Sequence, residues 1–381
     1  MQYRPFGKVD FRVSALGFGC MRLPILNGDY AQIDEPLALH MLRHAIDSGV
    51  NYVDTAYGYH RGNSERFVGR ALQDGYRQKI GLATKLPQWL VKEQADFERL
   101  FTEQLERLQT DHIDFYLMHA LGAKSWHKIY DLGILDWIEK TRASGRILHV
   151  GFSFHDTLDA FKEIVDMYDG WDFAQIQYNY MNTNEQAGTA GLQYAAQRGM
   201  GMVIMEPLLG GRLVRPPEAV QALWDNAPAA QQRRSPADWA LQWVWNKPEV
   251  SVVLSGMSTF QQVEENLVSA EASSTRHLSA EELALVEQVR AKTQELCAIP
   301  CTHCDYCQPC PNKVNIPRLF ELYNNASMYN VLDESRREYA HMAMEERADM
   351  CLDCDECEAK CPQNIPISVW MPQVHEALRA R

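Results

Sequence analysis

Eight short apolar runs, rich in β-branched and aromatic residues, recur along the chain, and longer amphipathic stretches separate them. The runs are Ala15 to Gly19, Asn51 to Asp54, Ile80 to Thr84, Ile113 to Met118, Ile147 to Ser153, Phe173 to Tyr178, Met202 to Glu206 and Val250 to Gly256. Such alternation predicts a parallel sheet with helical crossovers, and eight strands is the number that closes a TIM (β/α)8 barrel. The stretch from Pro36 to Asp47, stopped by Gly49, and that from Phe97 to Leu108 both place apolar residues at helical spacing. An open doubly wound sheet is the alternative architecture. It would carry Gly-x-Gly-x-x-Gly after the first strand, and Gly17, Gly19 and Gly28 do not have that spacing. Ahead of the runs, Tyr3 to Arg12, with Gly7 at its centre, reads as a small hairpin.

The polar residues at the ends of these runs converge. Asp54 closes the second run, Tyr59 lies in the loop after it, Lys85 closes the third and His119 the fourth. Each has an ordinary reading: a cap or loop acid, a half-buried aromatic, a surface lysine, a satisfied core histidine. The C-terminal ends of neighbouring barrel strands meet at one mouth, however, so all four can reach a common point.

Charge and cysteine usage bound the rest. The formal net charge is -13 and no basic stripe occurs, so nucleic acid and an anionic membrane are not expected partners. The start MQYRPFGKVD lacks the features of a secretory signal and no apolar run is long enough to span a bilayer, so a cytoplasmic location is expected. Of ten cysteines, Cys20 stands alone and nine lie at or beyond Cys297. That asymmetry predicts a barrel over 1–278, a connecting helix over 279–296 and a separate domain over 297–381. Ser279 followed by Glu282 is a capping box for the connecting helix.

Two cysteine runs dominate the tail. The first is Cys301, Cys304, Cys307 and Cys310, followed by Pro311; the second is Cys351, Cys354, Cys357 and Cys361, followed by Pro362. Disulfides would be the ordinary reading of a cysteine-rich tail, but Cys-x-x-Cys steps without a signal peptide point to metal or cluster ligation. The second run has the spacing of ferredoxin ligands to a [4Fe-4S] cluster, and zinc has no use for two such runs. The first run is one residue shorter, which leaves the role of Cys310 open. In two-cluster ferredoxins the fourth cysteine of each run crosses to the other cluster. That pattern would put Cys301, Cys304, Cys307 and Cys361 on one cluster and Cys351, Cys354, Cys357 and Cys310 on the other. The alternative is a single cluster on Cys351, Cys354, Cys357 and Cys361. The insert between the runs reads helical, so the tail resembles the small helical ferredoxin-like domains. Asn-Ile-Pro follows both runs, at Asn315 and Asn364, a sign of internal duplication. Cys297 falls outside the pattern and reads as a buried thiol.

The barrel portion resembles the aldo-keto reductase family. The resemblance rests on LGFGCMR at Leu16 to Arg22, the D-T-A-x-x-Y motif from Asp54 to Tyr59 with Ser64 and Glu65 following, Lys85 in ATK and His119 in DFYLMH. With the tail, the chain resembles the bacterial iron-sulfur members of that family. The resemblance implies a nicotinamide-dependent oxidoreductase that reduces a carbonyl or oxidises an alcohol, with Tyr59 as proton donor. Lys85 would favour the phenolate, Asp54 would hold Lys85, and His119 would orient the carbonyl.

The resemblance also implies NADP, or NAD, across the mouth. Gly19, Met21 and Arg22 would lie on one side, and Ser153, Gln177 and Met205 at the nicotinamide. Gly256, Ser258, Gln262, Glu265 and Asn266 would hold the adenosine end, and the Gly210 to Arg212 loop would cover the pyrophosphate. Phe154 stands where many members have Asn, and Gly256 and Gln262 stand where NADP-preferring members carry bases, so the choice of nucleotide stays open. A nicotinamide-binding redox sensor with a partner-docking tail is the alternative function. Also open are an electron-transfer protein as partner, the oligomeric state and the substrate, for which Trp126, His127 and Tyr130 are candidate pocket walls.

Overall fold

The computed structural model describes residues 1–227 and 234–379. A hairpin of β1 (Tyr3–Phe6) and β2 (Val9–Ser14) opens the chain. The eight runs then form β3 (Leu16–Gly19), β4 (Tyr52–Asp54), β5 (Gly81–Leu86), β6 (Ile113–Leu121), β7 (Ile147–Phe154), β8 (Phe173–Gln177), β9 (Gly201–Met205) and β10 (Val252–Ser255). They pair in parallel as a closed barrel in the order β10-β3-β4-β5-β6-β7-β8-β9.

The helices between the strands are α1 (Glu35–Asp47), α2 (Asn63–Ala71), α3 (Ala95–Leu108), α4 (Ala123–Asp131), α5 (Ile134–Ala143), α6 (Leu158–Asp166), α7 (Gly188–Gln197), α8 (Glu218–Asp225) and α9 (Pro236–Trp245). After β10 come α10 (Phe260–Glu271), α11 (Ala280–Glu295), α12 (Ile316–Met328), α13 (Leu332–His341) and α14 (Ile367–Leu378). Among the described residues, no helix is long and apolar enough to cross a membrane.

Strand alternation fills the barrel interior. Phe115 and Leu117, Phe173, Val203 and Leu254 point inward and are buried together. The hairpin plugs the end opposite the mouth. Phe6 of β1 packs 4.9 Å from the Phe115 ring and 5.5 Å from the Phe173 ring. Gly7, at φ +57, lets the hairpin turn lie flush on the barrel, since a Cβ there would fall 2.3 Å from the Gly199 carbonyl oxygen. With one end sealed by the hairpin, the polar side chains that end the strands gather at the C-terminal rim.

Chain packing resolves two compact units. The first is Met1–Pro207 with Ala240–Leu278; the second is Leu208–Trp239 with Ser279–Arg381. The division at Leu278 and Ser279 coincides with the end of the barrel read from sequence. The segment from Leu208 to Trp239 goes with the tail instead, and so does the connecting helix.

Within the second unit, Arg212 donates to Glu334 of α13 at 2.7 Å and 3.1 Å. Ser279 caps α11, with its backbone N–H on the Glu282 carboxylate at 2.7 Å and the Glu282 N–H on Ser279 Oγ at 3.1 Å. The tail has its own small core. Ile316, Leu319 and Phe320 of α12 meet Ile367, Met371 and Val374 of α14, residues three or four apart on each helix. Asn315, from the first Asn-Ile-Pro, caps α12 by accepting from the Arg318 N–H at 3.4 Å.

Candidate active site and thiol cavities

The mouth of the barrel is built on a buried ion pair. Asp54 ends β4 and Lys85 lies near the end of β5, and both side chains are almost wholly excluded from water. The Lys85 ammonium donates to both Asp54 carboxylate oxygens at 2.7 Å and to the Thr55 carbonyl at 2.8 Å. These contacts, with a side-chain hydrogen bond to Tyr59, fix the charge in place. Burial alone would lower the Lys85 pKa, but Asp54 and Tyr59 oppose it and the outcome is a raised value, so the ammonium stays charged.

A second buried layer supports the pair from behind. Glu65, fully buried on α2, accepts from Thr84 Oγ1 and Gln104 Nε2 at 2.6 Å each, and Arg107 lies 3.2 Å away. Gln104 also donates to the Lys85 carbonyl at 3.0 Å and accepts from the Tyr116 hydroxyl at 2.7 Å. Gln104 and Tyr116 had no signal in the sequence, because their roles depend on α3 packing behind β5.

Tyr59 starts a tight turn, Tyr59–Gly62, just past the Asp54 strand end. Its ring lies 6.1 Å from the His119 ring, edge-on, and Lys85 Nζ is 5.1 Å from its centroid. Burial raises the Tyr59 pKa above that of free phenol, against the pull of Lys85. Lys85 favours the phenolate by its charge and by a hydrogen bond, while the low dielectric of the site acts the other way and prevails. His119 is pushed down to about 3 by burial, with Lys85 and His155 adding, so its ring is neutral. Its Nδ1 is buried and has no partner.

The residues expected at the nicotinamide lie on the rims of β7, β8 and β9. Ser153 is buried, and its Oγ accepts the Ala120 N–H at 2.7 Å. Phe154, the next residue, faces outward against Phe161 at 5.1 Å, so it does not reach the mouth. Gln177 and Met205 are register partners at the strand ends. One residue was missed. Gln175 is the register partner of Ser153 and is 2% exposed, with its Oε1 unpartnered and its Nε2 3.5 Å from Met205 Sδ. A buried acceptor without a donor costs about 1–3 kcal/mol, so this oxygen is placed to receive one.

On the other side, β3 and β10 are neighbours, and the segments after them form one surface. Gly19 packs on the Ser255 carbonyl, and the Arg22 side chain covers Gly256, where a Cβ would lie 3.2 Å from it. Met21 is 49% exposed. Ser258 Oγ donates to the Arg22 carbonyl at 2.7 Å, and the Ser258 N–H donates to Gln262 Oε1 at 2.8 Å. Asn266 donates to Ser255 Oγ at 2.9 Å, while Glu265 accepts from Gln261 at 2.7 Å. Thr259 caps α10, which therefore begins at this surface. From Gly256 to Asn266 the sequence has no Lys or Arg. The candidate walls divide: Trp126 is fully buried against Trp171 and is packing, His127 pairs with Glu163 at 2.9 Å, and Tyr130 is 39% exposed.

In the tail, the eight run cysteines line two cavities. One is bordered by Cys301, Cys304, Cys307 and Cys361. The other is bordered by Cys310, Cys351, Cys354 and Cys357. Ile316 and Ile367 line both and so form the wall between them. The two loops repeat one backbone form, with positive φ at His303 and Asp305 in the first and at Asp353 and Asp355 in the second. His and Asp are among the residues that tolerate it. Burial raises the thiols of Cys307 and Cys357 to about 11. Among the described residues, no three His, Cys, Asp or Glu side chains are gathered as a site for one metal ion. Four thiols around each apolar-walled cavity do suit a [4Fe-4S] cluster, which would take them as thiolates. Cys297 is only half-buried and donates to the Ile299 carbonyl at 3.3 Å.

Comparison with known proteins finds two matching families. Residues 15–291 match the Aldo/keto reductase family, and residues 300–365 match the 4Fe-4S dicluster domain. The chain is similar to L-galactose dehydrogenase of Arabidopsis thaliana, at 29% identity over 78% of this chain and 96% of the relative. It is similar to L-glyceraldehyde 3-phosphate reductase of Escherichia coli O157:H7, at 25% identity over 76% and 92%. A solved aldo-keto reductase from Bacillus halodurans, in its holo form, aligns with a TM-score of 0.63 at 28% identity, covering 76% of this chain and 96% of that one.

Proposed function

Since this chain belongs to the aldo/keto reductase family of NAD(P)-dependent oxidoreductases and ends in a 4Fe-4S dicluster domain, we propose that its barrel interconverts a carbonyl and an alcohol with Tyr59 as proton donor. The carrying observation is the buried Lys85–Asp54 pair beside Tyr59, with a neutral His119 edge-on to the phenol. Bound nicotinamide supplies the hydride. As negative charge develops on the carbonyl oxygen, Tyr59 Oη gives it a proton; an alkoxide is a far stronger base than a phenolate, so the raised phenol pKa does not prevent the transfer. Lys85 stabilises the phenolate left behind, Asp54 fixes Lys85, and the neutral His119 ring orients the carbonyl by hydrogen bonding.

Ser153, Gln175, Gln177 and Met205 would hold the nicotinamide, with the bare Gln175 Oε1 accepting from its carboxamide. Gly19, Met21, Arg22, Gly256, Ser258, Gln262, Glu265 and Asn266 would hold the adenosine end. NADP is the family's nucleotide. The lack of bases from Gly256 to Asn266, with Arg22 alone nearby, keeps NAD as the alternative.

Two [4Fe-4S] clusters would sit in the tail, one on Cys301, Cys304, Cys307 and Cys361 and the other on Cys310, Cys351, Cys354 and Cys357. Such clusters exchange single electrons whereas hydride carries two, so the tail either serves a step separate from the hydride transfer, with an electron-transfer protein as the fitting partner, or is structural or a redox sensor.

The test uses anaerobically purified full-length protein. A carbonyl panel headed by L-galactose and L-glyceraldehyde 3-phosphate, the compounds in the two relatives' names, is assayed with NADH and NADPH. Tyr59→Phe should lower turnover by about 10²–10⁴-fold and leave nucleotide binding intact. Equal inertness of both proteins, with nucleotide bound by each, would replace the enzyme by a nicotinamide-binding sensor.

A further inference from the structure

The turn that carries Tyr59 contains a residue the reaction does not use. His60 is 0% exposed and adopts φ +51, and Arg61 follows at φ +53. Left-handed backbone costs a non-glycine residue about 1–2 kcal/mol, so two in succession persist only where their side chains are held.

What holds His60 is the segment from Cys20 to Asp34, which leaves β3 at the mouth. This segment is a folded flap, closed by the Ile25–Ile33 bridge and a turn in which the Asp29 N–H donates to the Leu26 carbonyl at 2.9 Å. His60 Nδ1 lies 2.8 Å from the Tyr30 carbonyl, and the His60 ring stacks on the Tyr30 ring at 4.4 Å and 23°. A carbonyl only accepts, so Nδ1 carries the proton it shares with Tyr30, and the Met21 backbone also acts on the ring. Tyr30 Oη in turn donates to the Met21 carbonyl at 3.2 Å, Asn63 donates to the Ala31 carbonyl at 2.9 Å, and Ser258 donates to the Arg22 carbonyl at 2.7 Å. Arg61 adds its charge to the forces that lower the Asp29 pKa, after the Ala31 N–H and Gln32. The flap is otherwise unpromising as a free-standing structure, with Ile25, Leu26 and Tyr30 each more than a third exposed.

We propose that His60 is a positioning residue for nucleotide binding. Its ring pins the flap, through Tyr30, to the same turn that carries Tyr59, and so holds Met21 and Arg22 in register with the Ser258 side of the mouth. This rests on the reading of those residues as the nucleotide site. A glycine at 60 would relax the backbone and lose the pin, which separates the ring's contribution from the turn's conformation.

The test compares His60→Gly, His60→Asn and Tyr30→Ala in the full-length protein. The probes are NADH and NADPH binding by fluorescence, trypsin cleavage after Arg22, and kcat and KM measured separately. Losing one hydrogen bond and one ring stack should weaken nucleotide binding by about tenfold in His60→Gly, with kcat within about threefold. Cleavage after Arg22 should quicken by a similar factor. Asn tolerates left-handed backbone and offers an amide N–H to the Tyr30 carbonyl, so His60→Asn should recover part of the loss.

Tyr30→Ala removes the stack and the Tyr30 Oη bond to Met21 but keeps the carbonyl that His60 Nδ1 bonds, so it should weaken binding less than His60→Gly does, and the double variant should fall short of additivity. Wild-type nucleotide affinity and wild-type protection of Arg22 in His60→Gly and Tyr30→Ala would overturn the proposal, as would additive effects in the double variant. Failure of the catalytic reading would appear instead as full turnover in Tyr59→Phe, while faster cleavage after Arg22 would still report the pinned flap.

Discussion

The barrel mouth and the tail cavities solve opposite problems. At the mouth, charge is buried before any ligand arrives: Lys85 and Asp54 are 1% and 2% exposed, each satisfied by the other, with Glu65 and Gln104 as a polar backing. In the tail, thiols with raised pKa border two spaces between loops, and Cys304 and Cys354 are exposed. The first region is preorganised by parallel strands; the second is completed by what it binds. Function at the mouth should therefore survive small changes in the tail, whereas the tail's order should depend on its cargo.

The sharpest way to break that contrast is through the cysteines. Cys361→Ser and Cys307→Ser should each remove one cluster and about half of the bound iron, with the same change in EPR signal. Cys357→Ser and Cys310→Ser should share the other signature. If Cys361→Ser behaved like Cys357→Ser, the thiols would group by run and not by cavity. In all four, nucleotide binding by the barrel should persist.

Next in size is the buried pair. Lys85→Met leaves the Asp54 carboxylate buried and uncompensated, and denaturant unfolding should show a loss of about 3–5 kcal/mol. A negligible loss would mean that the mouth is as adaptable as the tail.

Acid should then act on the mouth through His119. Its native pKa is about 3, against an unfolded value of about 6.5, so below the latter the unfolded chain takes up a proton that the native ring refuses. Stability from this group is fully present above pH 6.5 and is lost at about 1.4 kcal/mol per pH unit as pH falls toward 3. His119→Asn should flatten that part of the stability curve, as read by denaturant melts at stepped pH.

Gln175→Leu gives the smallest effect. It deletes the unpartnered acceptor, so the apoprotein should be as stable or slightly more so, while nucleotide binding weakens by about tenfold. Binding unchanged from wild type would leave Gln175 as a packing residue only.

Much of the scaffold was legible beforehand. Each of the eight strands lies on its apolar run to within a few residues, because inward-facing alternation and helical spacing are properties of neighbours in sequence. Asp54, Tyr59, Lys85 and His119 could be placed at one mouth because parallel strands put their C-terminal ends together. Less accessible was the depth of a side chain in the barrel. Gln175 and Gln177 share the inward face of β8, and only the stagger between strands sets Gln175 beside Ser153. The Arg212–Glu334 pair spans 122 residues, and nothing local to Arg212 marks it.

By itself, then, the sequence determined the strand count, the residues at the strand ends and the two cysteine runs, since each follows from spacing within a few turns of chain. Only the tertiary structure decided how burial and Lys85 oppose each other at the Tyr59 phenol, that Cys361 borders the first run's cavity and Cys310 the second's, and that His60 packs against the segment leaving β3. These depend on dielectric surroundings and on contacts between segments far apart in the chain, which exist only once the chain has closed on itself.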